Sequence, residues 1–152
     1  MLRLLTFVVC DAVVIDKQES PSIIHIWQKV TVEPFGESPG TALAADALSP
    51  QFWNVLAIWD HDIEDVGKEY KQKIQVIMPD GSTNVTVKAD LPFIVKDDFA
   101  VNHIRIIGFP VGQIGTLKVK TWVESPNGDT IHGPVFYPIK VEANPASVKA
   151  TT

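Results

Sequence analysis

Residues 70–91 read YKQKIQVIMPDGSTNVTVKADL, and this stretch decides the fold. At its centre, Pro79-Asp80-Gly81-Ser82 predicts a hairpin turn, because Gly81 can take the positive φ that Asp-Gly turns use. On both sides of the turn, side chains alternate as they do along half-buried β-strands. In the second strand the alternation predicts inward positions for Val85, Val87, Ala89 and Leu91, and outward positions for Asn84, Thr86, Lys88 and Asp90.

A second hairpin is predicted near the end of the chain. Asn127-Gly128 is a strong two-residue turn signal, and the strand before it alternates in the same way. Its inward residues are Leu117, Val119, Thr121 and Val123, and its outward residues are Lys118, Lys120, Trp122 and Glu124. The strand after the turn contains Pro134 and Pro138, which cannot donate to a ladder, so we expect it at a sheet edge or broken.

The remaining strands are predicted from composition and alternation. Residues 2–15 are almost continuously apolar, as in a strand covered on both faces. Further strands are expected at residues 22–32, 52–59 and 101–109, and the Ala-rich residues 41–49 are the one plausible helix. Seven or eight strands with turns between them predict an all-β antiparallel sandwich, either immunoglobulin-like or C2-like.

The length of 152 residues predicts a single domain. We expect it to span residues 2–142 and to be followed by a flexible tail at 143–152. Hydrophobic residues make up 45% of the chain, which predicts a soluble globular protein rather than a disordered one.

Charge and cysteine content exclude several classes of function. The net charge is −5, and only two of the 13 basic residues are Arg, which argues against nucleic-acid binding. The sequence contains no run of 18 apolar residues, so no membrane-spanning helix is predicted. The apolar stretch before Cys10 is too short for a secretion signal, and one cysteine cannot form a disulfide framework, so we expect a cytoplasmic protein.

No catalytic motif is recognisable, and we therefore expect neither enzymatic activity nor a cofactor. Cys10 lies in the most apolar stretch, where a thiol is usually buried and inert. The sequence has no Gly-x-Ser-x-Gly elbow, and the glycines near residue 112 do not have dinucleotide-binding spacing.

The densest acidic segment is Asp60-His61-Asp62-Ile63-Glu64-Asp65. Asp60, Asp62 and Glu64 present oxygen ligands at alternate positions, as a calcium loop does. The segment lacks the Gly and the closing Glu of an EF-hand loop. A solvated acidic turn is the other interpretation, and we predict weak calcium binding at best.

Two tryptophans are predicted on polar strand faces. Trp122 shares its register with Lys118 and Lys120, and Trp27 shares one with His25 and Lys29. Such an indole is either covered by a loop of its own chain or part of an interaction surface, where Trp is enriched. Trp27, Trp122, Lys118 and Lys120 are the candidate interface.

Several short segments together resemble a known family. They are Leu4-Leu5…Asp11-Ala12…Asp16, Val66-Gly67…Tyr70, Pro79-Asp80-Gly81 and Gly115-Thr-Leu-Lys-Val, with the Asn127-Gly128 turn. Over about residues 2–142 the chain resembles an uncharacterised bacterial family of small β-sandwich proteins, domain of unknown function 6941. The Ala-rich residues 41–50 depart from that family's pattern. The resemblance implies a fold and no activity.

The sequence therefore favours a non-enzymatic interaction or scaffold module, whose partner is another protein or a second copy in a homodimer. The alternative is a domain that binds a small ligand or calcium through loops at one end of the sandwich. Neither membrane nor nucleic-acid partners are expected.

Overall fold

Two β-sheets make up the structure, a computed structural model that describes residues 1–32 and 43–144. The first sheet has four antiparallel strands in the order β2-β1-β4-β7, and the second has five in the order β3-β9-β8-β5-β6. The strands are β1 Arg3–Ile15, β2 Pro21–Ile26, β3 Lys29–Val32, β4 Leu48–Asp60, β5 Glu69–Ile77, β6 Thr83–Ile94, β7 Ala100–Pro110, β8 Gly115–Glu124 and β9 Thr130–Ala143. The expected all-β sandwich is confirmed, with nine strands in the described residues.

The core lies between the sheets and is built from the inward side chains of both. Trp53, Val55 and Trp59 of β4 are fully buried, as are Val119 and Val123 of β8. The strict alternation predicted for β8 is confirmed. Both predicted hairpin turns are also present, since Gly81 and Gly128 each have a φ of +88°.

The buried polar groups of the core are paired with one another. Asn102 donates to Gln72 Oε1 over 2.7 Å, and Trp59 Nε1 donates to the same oxygen over 3.2 Å. The Gln72 amide in turn donates to Thr121 Oγ1 over 3.0 Å. These bonds offset the desolvation cost of the side chains and fix the sheets relative to each other.

Strand β1 changes partner at Cys10. Residues Arg3 to Cys10 pair with β4, whereas Cys10 to Ile15 pair with β2. We call residues 11–26 the hairpin arm. The expectation that residues 2–15 form one strand covered on both faces is therefore wrong for the arm, where Val14 and Ile15 are 53% and 44% exposed.

The hairpin arm bends back across the outer face of the four-stranded sheet. Residues at the tip of the arm line the same cavity as Ile58 and Val101. Ile58, however, is the pairing partner of Thr6, near the start of β1. A straight strand would carry Ile15 about 30 Å from Thr6, so the arm must turn at Cys10. Leu56, on the same face of β4 as Ile58, is fully buried.

Three details differ from the sequence-based expectations. Residues 43–47 contain no helix and β4 begins at Leu48, so the predicted Ala-rich helix is wrong there; residues 41 and 42 lie outside the described residues. Residues 22–32 form two strands, β2 and β3, in different sheets. Asn84 is buried and Val85 is 82% exposed, because the Asn84 side chain accepts hydrogen bonds from the backbone of Thr86 and Val87 beside an irregularity in the ladder.

The prolines of β9 lie where the strand has one neighbour. Pro138 pairs with Lys118 of β8, while β3 joins β9 only from Lys140 onward, in parallel. The strand is thus an edge at its prolines and internal at its end, so the edge expectation holds for half of it. A tail is predicted for residues 143–152, but β9 continues to Ala143 and Asn144 N donates to the Val32 carbonyl over 2.8 Å; residues 145–152 lie outside the described residues. In the part of the chain that is described, no helix is long and apolar enough to cross a membrane.

Candidate functional site

The outer face of the five-stranded sheet combines lysines with aromatic side chains, and we call it the lysine–tryptophan face. Lys118, Lys120 and Trp122 lie on it together, because their neighbours along β8 are buried on the other side. Strand register places further residues on the same face. They are Glu69, Lys71, Lys73 and Gln75 of β5, Lys88 and Asp90 of β6, Phe136, Pro138, Lys140 and Glu142 of β9, Lys29 of β3 and Glu124 of β8.

This face has the opposite charge from the rest of the protein. It carries seven lysines and four carboxylates, a net charge of +3, in a chain whose total is −5, so the remainder carries −8. A charge separation of this kind steers encounters with oppositely charged partners. The net charge of the whole sequence does not reveal this separation, because most of the Asp and Glu residues lie outside the face.

Four lysines of the face have no acidic partner in the described residues. Lys73 pairs with Asp90 over 2.8 Å, and Glu142 holds both Lys29 and Lys140 at 3.2 and 2.9 Å. The lysines without an ion pair are Lys71, Lys88, Lys118 and Lys120. Their ammonium groups are available to an incoming anion.

Trp122 is fixed in place but only partly covered. Its Nε1 donates to Glu124 Oε1 over 2.7 Å, and Lys120 Nζ lies 4.7 Å from the ring centre. Gly133 packs beneath it, since a Cβ there would stand 3.1 Å from Trp122 Cβ. Phe136 of β9 is 49% exposed on the same face. Two partly exposed aromatic rings on a rigid sheet are typical anchor points of an interface.

Trp27 does not belong to this face, and the structure separates it from the other candidate interface residues. It is 4% exposed, stacks on Trp53 with ring centres 6.4 Å apart, and meets Phe109 edge-on at 5.2 Å. Its Nε1 donates to Asp11 Oδ1 over 2.5 Å. The expectation that Trp27 lies on a polar surface is wrong, because the chain crosses between the sheets here and turns the indole inward.

The Asp11 carboxylate joins Trp27 to His25. Asp11 Oδ2 lies 2.6 Å from His25 Nδ1, and His25 has a φ of +52°, a conformation in which histidine is enriched among non-glycine residues. Burial raises the pKa of Asp11, but the bonds from His25 and Trp27 outweigh it and hold the pKa below its usual value. This cluster was not identified from sequence, since Asp11 and Trp27 are 16 positions apart.

The acidic segment after β4 is occupied by cationic groups of the chain itself. Arg3 donates to Asp60 over 2.7 Å and to Asp62 over 2.9 Å, and the terminal ammonium of Met1 binds Asp62 and Asp65. The Arg3 bond keeps the pKa of Asp60 low. Glu64 is exposed and makes no ion pair in the described residues.

The structure therefore does not bring Asp60, Asp62 and Glu64 together as three ligands. Across residues 1–32 and 43–144, no three His, Cys, Asp or Glu side chains converge as a metal site would require. The carboxylates of Asp60 and Asp62 share a guanidinium instead, and this arrangement ties β1 to the end of β4.

A cavity of about 660 Å³ opens between the tip of the hairpin arm and the β6–β7 loop. Its apolar wall includes Ile15, Pro21, Phe93, Phe99 and Val101, and its polar groups include Glu19, Lys96 and Asp98. The volume is that of a small-molecule site. Sequence patterns did not reveal this cavity, because the bend at Cys10 that creates it has no local signature.

A scan of the sequence against protein-family models and a search of curated proteins found no match. The family resemblance given above therefore stays a prediction.

Proposed function

We propose that the protein is a non-enzymatic interaction module that binds another protein through the lysine–tryptophan face. One observation carries the proposal: Trp122 and Phe136 lie partly exposed on one sheet face, among four lysines that form no ion pair within residues 1–32 and 43–144. Interfaces derive most of their binding energy from a few such aromatic residues, surrounded by polar groups that exclude water. A cytoplasmic location belongs to the same proposal and is supported by the single cysteine.

The state of Cys10 argues against a catalytic role for this thiol. The thiol is fully buried, and burial raises its pKa. A catalytic cysteine needs the opposite, an accessible sulfur with a lowered pKa.

Photocrosslinking inside cells of the source organism tests the proposal. p-Benzoylphenylalanine replaces Trp122 in one variant and Ile107, which is 62% exposed on the other sheet, in the control. We expect a discrete adduct from position 122 and none of the same mass from position 107. An adduct of twice the 16.7 kDa chain mass would identify a second copy as the partner. No adduct at position 122 would contradict the proposal.

The cavity supports a second candidate function, the binding of a small apolar ligand at one end of the sandwich. The probe is 8-anilinonaphthalene-1-sulfonate, whose fluorescence rises in apolar sites. Phe99→Asp changes the cavity wall, and Phe136→Asp is the matched control, since the two rings are 59% and 49% exposed. We expect Phe99→Asp to abolish the fluorescence rise and the control to retain it. Equal loss in both variants would count against the cavity.

A further inference from the structure

We infer that the partner of the lysine–tryptophan face is an acidic, extended segment of another protein, with Asp or Glu at alternate positions and an apolar or aromatic side chain beside them. The inference rests on the proposed function and adds the chemistry of the partner. Its basis is the juxtaposition, on one face of the sheet, of partly exposed rings and lysines that have no ion pair in the described residues.

The spacing of the lysines matches that of alternate residues in an extended chain. Lys118 and Lys120 are two positions apart on β8, which places their Cα atoms about 7 Å apart, the same repeat as the carboxylates of an alternating acidic strand. Lys88 and Lys120 are both paired with Gln75, on either side of β5, so they are about 10 Å apart across the sheet. An acidic segment along β8 can therefore meet several ammonium groups in sequence.

The aromatic residues lie beside Lys120 rather than apart from the lysines. Phe136 pairs with Lys120 across the β8–β9 ladder, and Lys120 also lies over the Trp122 ring. An acidic segment that also carries an apolar side chain would cover the rings while its carboxylates meet the lysines. A purely ionic ligand would leave both rings in water, which favours a mixed acidic and apolar partner.

Charge disfavours a second copy that binds face to face. A two-fold dimer would place the same surface on both sides, so a net charge of +3 would oppose +3 across the contact. Like charges at an interface cost affinity and suppress association. A second copy, one of the two partners that the sequence left open, is thus the less favoured occupant of this face.

Nucleic acid is the less favoured polyanion. Every cation on the face is a lysine, while Arg3 and Arg105 both belong to strands of the four-stranded sheet. Arginine supplies the commonest specific base contacts, and single-strand platforms stack several bases on successive aromatic rings. Recognition of carboxylates, in contrast, requires only ammonium donors at a suitable spacing.

Fluorescence polarisation of a labelled peptide tests the inference with the full chain. The probe is a 12-residue peptide of alternating Glu and Ala with a central Phe, at low salt. The Lys118→Glu/Lys120→Glu variant should weaken binding at least 10-fold. The Lys17→Glu/Lys96→Glu control makes the same change in net charge away from the face and should stay within about 2-fold of wild type. Thermal melts establish that both variants fold.

Three results would overturn the inference: no binding of the peptide by the wild-type chain, equal weakening in both variants, or tighter binding of a 12-nucleotide oligothymidine than of the peptide. Failure here is separable from failure of the proposed function. If photocrosslinking at position 122 yields an adduct while the acidic peptide does not bind, the face binds a protein of other chemistry. If both fail, the face is not an interaction surface.

Discussion

Trp27 and Trp122 have similar local sequence patterns but opposite environments. Each has polar residues two positions before and after it, and each indole donates to a carboxylate, of Asp11 and Glu124 respectively. Trp122 lies inside strand β8, which has a neighbouring strand on both sides, whereas Trp27 lies between β2 and β3, at the crossing from one sheet to the other. The alternation of polar and apolar residues therefore predicts side-chain orientation only within a continuous strand. A residue at which the chain passes from one sheet to the other can face the core instead.

Replacement of Trp27 should have the largest effect on stability. Trp27→Ala removes an indole packed against Trp53 and Phe109, and substitutions of this kind cost about 3–5 kcal/mol. Urea unfolding of the wild type and the variant measures the difference. A loss below about 1 kcal/mol would mean that the crossing does not hold Trp27 in the core.

Asp11→Ala should have the next largest effect. The change leaves the Trp27 N–H without its acceptor and His25 without its partner, at a cost of about 1–3 kcal/mol near neutral pH.

The Asp11 effect should also depend on pH. The folded-state pKa of Asp11 is below its unfolded value, so its contribution is present above about pH 4 and is lost as the pH falls through the folded pKa. The free energy of unfolding of the wild type and of Asp11→Ala is measured between pH 7 and pH 2, and the difference between the two proteins should become smaller as the pH falls. If the difference does not change with pH, the loss of stability comes from packing and not from the charge of the carboxylate.

Trp122→Ala should have a small effect on stability, about 1 kcal/mol or less. Its ring is partly solvent-exposed, and its bond to Glu124 lies at the surface. The same urea titration gives the value. A loss comparable to that of Trp27→Ala would place Trp122 in the core and contradict its role in an interface.

Cys10 should show no reaction in the folded wild type. It is adjacent to Val9, whose carbonyl accepts from Trp27 N over 2.8 Å, and it is fully buried. Labelling with a thiol reagent should occur in denaturant only. Trp27→Ala should accelerate labelling without denaturant, whereas Trp122→Ala should not, which distinguishes the two tryptophans by a second measurement.

The parts of the fold that depend on residues close together in the sequence could be predicted. The hairpin turns at Gly81 and Gly128 and the two faces of β8 follow from local sterics and alternation. The buried position of Asn84 could not be predicted, because its side chain bonds to the backbone two and three residues later and reverses the pattern.

The candidate site was predictable along one strand and not across strands. Lys118, Lys120 and Trp122 share a face by simple alternation. Lys71 and Lys88 join them only through the pairing of β5 with β8 and β6, which sequence separation does not reveal. The cavity depends on a bend whose cause is tertiary, and Trp27 depends on a crossing between sheets.

The partner change of β1 at Cys10 has a consequence for the timescales on which the backbone opens. Ladder bonds of the hairpin arm join only β1 and β2, so they can break while β1 keeps its pairing with β4. Amide hydrogen exchange would then divide one continuous strand into two kinetic classes. Amides in the part paired with β4 would exchange only through global unfolding, and those in the arm through a local opening that leaves the sandwich intact.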